Sequence, residues 1–151
     1  MNTHIEEKIL YLRRMYRRVM AGVLALAVLM VVIDLLYPDL TSLSKKAALI
    51  SKSVMIVLFL SIIPLLLSHF RKRLGEIPGE ADTNWKMGVY QRQFYIKAAV
   101  LSALCVLSMV VFIISGDPMI LVLLLAGVLF LYFERPNRLR IVDDLGLDEE
   151  A

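Results

Sequence analysis

Histidine and cysteine are nearly absent from this chain: 151 residues include 2 histidines and 1 cysteine. Cys105 has no second thiol, which excludes a disulfide framework and a paired-thiol redox centre and leaves it as a packing residue. His4 and His69 fall at the edges of apolar segments, which argues against a haem held by two histidines between helices. No group of His, Cys or carboxylate residues is spaced for one helix face, so a metal centre is not expected. Ser102 and Ser108 have no histidine at their depth to serve as a base. A glycine-rich phosphate loop is missing as well. The expectation is therefore no catalytic residue, no cofactor, no metal ligand and no enzymatic activity. Oxygen ligands from Asp34, Asp39 and Asp117 are the one cation alternative, and they require the first and third connections to touch.

Alternation of period two is also lacking, which argues against a transmembrane barrel. What the chain has instead is long apolar segments. Hydrophobic residues make up 59%, against ~45–50% in a soluble domain, and the mean hydropathy is +0.72. A bilayer core of ~30 Å needs roughly 20 helical residues. Residues 19–37, 47–67 and 94–114 meet that length; 118–134 is short and fits in a locally thinned layer or nearly upright. In lipid each segment must satisfy its own backbone amides, so the spans are helices. The expected fold class is all-α: a polytopic membrane protein, one domain over 1–151, with a four-transmembrane-helix bundle. An N-terminal amphipathic interfacial helix over 1–18 and a short C-terminal cytoplasmic helix within 135–151 complete it.

Charge orients the bundle. Basic residues gather at 8–18, 71–97 and 135–140, while the third connection, Ser115-Gly116-Asp117-Pro118, has none. The positive-inside rule then puts both termini and the middle loop in the cytoplasm. The net charge of +3 is a topology signal, and a nucleic-acid partner is not expected. The first span reads as an uncleaved anchor, because Glu6 and Glu7 precede it and no small-residue cleavage pattern follows it.

Along Ile5–Val19, Ile5, Ile9, Leu12, Tyr16 and Val19 form one apolar stripe on a helix that continues into the first span. Arg13, Arg14, Arg17 and Arg18 cover much of the remainder and are suited to lipid headgroups. In the middle loop, Asp82, Thr83 and Asn84 offer helix N-caps, and Trp85, Tyr90, Phe94 and Tyr95 read as an interfacial aromatic belt. After the fourth span, Pro136 stops the helix, Asn137 can cap a new one, and Leu139, Val142 and Leu145 share a face.

The residues Arg135-Pro136-Asn137, Ile141, Asp143-Asp144-Leu145 and Leu147 resemble the ending of a group of small, uncharacterised bacterial four-span membrane proteins. In that group the last span is followed by Arg-Pro-Ser/Thr and an Ile-x-x-Asp-Leu stretch; Asn137 departs from the hydroxyl residue. The resemblance implies the four-span layout and a bacterial inner membrane location, and no activity.

Ionisable groups near spans are the default functional suspects. Asp34 and Lys52 share the outer leaflet and form a candidate buried ion pair. Glu134 lies at the inner edge with Arg71, Arg73 and Lys97 at similar depth. Small residues at Ala21 and Ala25, and at Ala99 and Ala103, have small-xxx-small spacing and predict close packing of the first and third helices. A seam within the chain and a dimer interface are both open. The expected partners are the lipid bilayer and either further copies or another membrane protein. The expected function is a non-enzymatic accessory, assembly or scaffold subunit; the alternative is a homo-oligomeric small transporter or channel.

Overall fold

A computed structural model describes residues 3–37, 44–78 and 81–145. Asp39, Gly146 and the acidic end at 148–150 lie outside them. Every described element is helical: α1 Thr3–Leu36, α2 Lys45–Gly75, α3 Thr83–Ser115, α4 Pro118–Phe133 and α5 Arg138–Leu145. Three of these, α1, α2 and α3, are long and apolar enough to cross a membrane. α4 is apolar and has 16 residues, ~24 Å at ~1.5 Å per residue.

α3 is the axis of the bundle and packs against each of the other helices. Of the most apolar window in each long helix, 39% is buried in α3 but only 11% in α1 and in α2. The outer faces of α1 and α2 carry Leu24, Val28, Leu29, Leu35, Val57, Leu60 and Leu65, all exposed. Water would penalise such a surface at roughly 25 cal/mol per Å², and a lipid solvent does not.

The inward faces follow a seven-residue rhythm. Leu12, Tyr16, Val23 and Met30 are buried on α1, Ile120, Leu124, Gly127 and Leu131 on α4, and Met87, Tyr90, Phe94, Lys97, Leu101, Leu104 and Ser108 on α3. Alternating steps of three and four keep one stripe against a neighbouring helix.

Helix ends are set by local chemistry. Ser44 Oγ accepts from the Ala47 amide at 3.4 Å and starts α2. α3 begins after Asp82. It ends at Gly116, whose φ of 61° only glycine adopts freely and whose amide donates to Phe112 O at 2.7 Å. Asp117 Oδ1 then accepts from the Met119 amide at 2.9 Å, with Pro118 in the first turn of α4. The α3–α4 connection is thus two residues long. α2 runs through Pro64 without a break in the helix.

Four expectations are corrected by the packing. Residues 3–18, the first half of α1, run on into the first span as expected but do not turn their stripe to lipid. Their stripe, Ile9, Leu12 and Tyr16, is buried against protein, in one cluster with Met87, Tyr90, Phe94, Phe70, Ile141 and Leu145. α1 has 34 residues, ~51 Å, so it outreaches a ~30 Å bilayer core and needs cover for its projecting part. Tyr90 and Phe94 belong to the same cluster, so of the supposed aromatic belt only Trp85 is largely exposed. On α5 the buried pair is Ile141 and Leu145, with Val142 only half-buried.

The alanine seam is the fourth correction. α1 and α3 do pack together, but Ala21, Ala25, Ala99 and Ala103 are all exposed. The reason is angular. Ala21 and Ala25 each lie two residues from buried Val23, and Ala99 and Ala103 two from buried Leu101. Two residues turn a helix by ~200°, which puts each alanine on the far side. The close approach occurs elsewhere, at Gly127. A Cβ there would meet Cys105 Sγ at 3.1 Å and Phe59 Cε1 at 3.2 Å, so α4 sits tight on both α3 and α2.

Candidate functional site

One polar cluster lies where the first half of α1, the last turns of α2, the first half of α3 and α5 meet. Lys97 Nζ on α3 lies 2.6 Å from Glu134 Oε2, just past α4, with side chains only 5% and 12% exposed. The ammonium also sits over the Phe70 ring, 4.0 Å from its centroid, and 5.7 Å from that of Phe94. A buried ion pair loses hydration on both sides, and only close geometry with further contacts offsets that loss. Here the aromatic faces of α2 and α3 supply those contacts.

An aromatic column surrounds the pair. Tyr16 and Phe94 are 5.5 Å apart between centroids, Tyr90 and Phe94 6.3 Å, and Phe70 and Tyr90 5.7 Å edge to face. Tyr16 is 5% exposed, and its hydroxyl is sealed from solvent without a hydrogen-bond partner. The same small void is lined by Tyr16, Phe94, Lys97, Ala98, Leu101, Leu131 and Glu134.

Outside this column lies a groove of about 460 Å³ between α1 and the α4–α5 junction. Leu10, Arg13, Tyr16 and Arg17 form one wall; Arg135, Pro136 and Asn137 form the other. Arg13 ties the walls together. Its Nε donates to Pro136 O at 3.3 Å and its Nη2 to Asn137 Oδ1 at 3.1 Å. Arg135 rests on the Tyr132 ring, 5.5 Å from its centroid. Two further depressions continue the basic surface, one along Lys8 and Arg14, the other along Arg14, Arg17 and Arg18.

The sequence-derived candidates divide accordingly. Arg14, Arg17 and Arg18 are exposed, as headgroup contacts would be, whereas Arg13 is half-buried and clasps the tail. Asn137 therefore accepts from Arg13 with its side chain, while its carbonyl begins α5 by accepting from the Ile141 amide at 3.0 Å. Asp34 and Lys52 do not form the expected pair: Lys52 Nζ is 3.3 Å from Asp117 Oδ2. The two-residue α3–α4 turn brings Asp117 to the start of α2, where Lys52 reaches it, and that carboxylate caps α4 with its other oxygen. No group of three His, Cys, Asp or Glu side chains gathers among the described residues.

Sequence reasoning missed Lys97–Glu134 as a buried pair, although it put both at one depth. The missing signal was azimuth. Phe94, Lys97 and Leu101 have the three-four spacing of the buried α3 stripe, which turns Lys97 inward. In the middle of the bundle, Ser108 Oγ donates to Leu104 O at 2.8 Å, within its own helix. Ser102 Oγ is buried without a hydrogen-bond partner.

Comparison of the chain with protein-family models, with characterised proteins and with solved structures finds no match. Function has to be argued from the geometry just described.

Proposed function

We propose that the chain is a non-enzymatic subunit of a bacterial inner membrane, crossing it four times with both termini in the cytoplasm, and that it serves as an accessory, assembly or scaffold component. α4 is the fourth span, made long enough by starting at Pro118 and by local thinning of the bilayer. The basic end, with Arg13, Arg14, Arg17, Arg18 and Arg135, is the cytoplasmic end.

The observation that carries the subunit reading is the apolar packing of the interior at membrane depth. Met30, Met55, Phe59, Leu104, Cys105, Met109, Phe112, Ile120 and Leu124 fill it, and the Ser108 hydroxyl is used within its own helix. A transport pathway needs polar lining that can replace a hydration shell. Such a packed bundle instead offers its outer faces, where α1 and α2 leave most of their apolar surface to lipid or to another membrane helix.

Cross-linking in native membranes followed by affinity purification tests the proposal. The expected result is a membrane protein partner recovered in fixed ratio. A chain that purifies alone as a homo-oligomer and mediates solute flux in liposomes would overturn it in favour of a transporter.

A further inference from the structure

We infer that the groove between α1 and the α4–α5 junction is a phosphate-binding site, with Arg17 and Arg135 as its ligands and Arg13 as the residue that holds its two walls in register. The inference stands on the groove alone and does not depend on the subunit reading.

Three guanidinium groups line one cavity of about 460 Å³, and no carboxylate is among its described lining residues. A volume of this size is within the range of small-ligand sites. Like charges held together in this way disfavour the empty groove and favour an anion within it. Arg17 and Arg135 are exposed, and neither is engaged in an ion pair among the described residues. Arg13, by contrast, is committed to Pro136 O and Asn137 Oδ1. The Tyr132 ring beneath Arg135 limits the freedom of that side chain before any ligand arrives. Tyr16 completes the lining.

The planar forks of arginine match the oxygens of a phosphate in paired hydrogen bonds, which a single-point cation cannot do. A carboxylate fits such forks as well, but three guanidinium groups around one groove favour the more highly charged anion, a phosphate ester or free phosphate. Leu10, on the exposed rim of the groove, gives an acyl-bearing phosphate an apolar contact that a free anion does not use. Arg14 and Arg18 lie on the same basic face but outside this groove, which separates a defined site from diffuse attraction to an anionic surface.

The test measures binding to the full chain in detergent with three probes: dihexanoyl phosphatidic acid, dihexanoyl phosphatidylcholine and inorganic phosphate. The expected result is saturable binding of phosphatidic acid, at least ~10-fold tighter than phosphatidylcholine. Arg17→Gln and Arg135→Gln should each weaken it by ~10-fold, the scale of one lost charge-assisted hydrogen bond. Arg14→Gln and Arg18→Gln should leave it unchanged. Both ligand arginines are exposed, and unchanged melting of the two variants without probe verifies that the fold is retained. If inorganic phosphate binds as tightly, with the same dependence on Arg17 and Arg135, the site stands and its ligand is the free anion. Equal loss in all four variants, equal affinity for phosphatidylcholine, or no binding of phosphatidic acid and phosphate would overturn the site.

Discussion

Lys97 Nζ and Glu134 Oε2 are 2.6 Å apart in a nearly sealed space between α3 and the end of α4. Removal of Glu134 takes the carboxylate at 2.6 Å away from an ammonium buried against Phe70 and Phe94. Glu134→Ala should therefore cost ~3–5 kcal/mol of stability. The double variant Lys97→Met with Glu134→Leu should recover most of that loss, because it strands no charge. Reversible unfolding in mixed micelles measures both; equal destabilisation by the single and double changes would refute the pair as described.

Gly127 marks the tightest approach of α4. Its neighbours, the Cys105 thiol and the Phe59 ring, are themselves buried and have little room to move. Gly127→Ala gains up to ~1 kcal/mol of helix propensity but crowds both groups, and overpacking typically costs ~1–3 kcal/mol. The expected net effect is a lower melting temperature, with Gly127→Leu much worse. An Ala variant more stable than the parent would contradict the close packing.

Ala98 and Ala99 are neighbours in sequence and opposites in environment. Ala98 is buried beside Tyr16 and Leu131, and Ala99 faces outward. Ala98→Leu should destabilise by ~1–3 kcal/mol through overpacking. Ala99→Leu should stay within about 0.5 kcal/mol, as surface changes do. The same thermal scan in detergent compares them directly.

Asp117 serves two helices at once, capping α4 with Oδ1 and meeting Lys52 of α2 with Oδ2. Asp117→Asn keeps a capping oxygen and removes the ion pair, which is partly exposed and worth at most ~1 kcal/mol. Asp117→Ala removes the cap as well and should cost ~1 kcal/mol more. The Asn variant should also lose part of the parent's sensitivity to salt.

The helical class and the apolar runs were legible in the sequence because lipid allows few alternatives to a self-satisfied backbone. Local signals were legible too. Asp117-Pro118 opens α4, and Asp82 precedes α3. What escaped was the rotation of each helix about its own axis. Small-xxx-small spacing identified a face of α1 and a face of α3, but not which face turns inward. The heptad of large residues Leu12, Tyr16, Val23 and Met30 decides that. The stripe at Ile9, Leu12 and Tyr16 was recognised, and its cover was not, because periodicity identifies a buried face without naming what buries it. Depth alone grouped Glu134 with Arg71, Arg73 and Lys97, and grouped Asp34 with Lys52. Ion pairing needs azimuth as well, and that is a property of the packed bundle.

The central claim, four crossings with the basic end in the cytoplasm, is tested most directly by single-cysteine labelling in intact bacterial cells with a membrane-impermeant maleimide. The native thiol of Cys105 is fully buried and stays silent. Cysteines at Glu6, Glu76 and Asp143 should be protected until the membrane is permeabilised, and cysteines at Lys46 and Ser115 should label at once. Labelling of Glu6→Cys, Glu76→Cys or Asp143→Cys in intact cells, or protection of Lys46→Cys and Ser115→Cys, would contradict it.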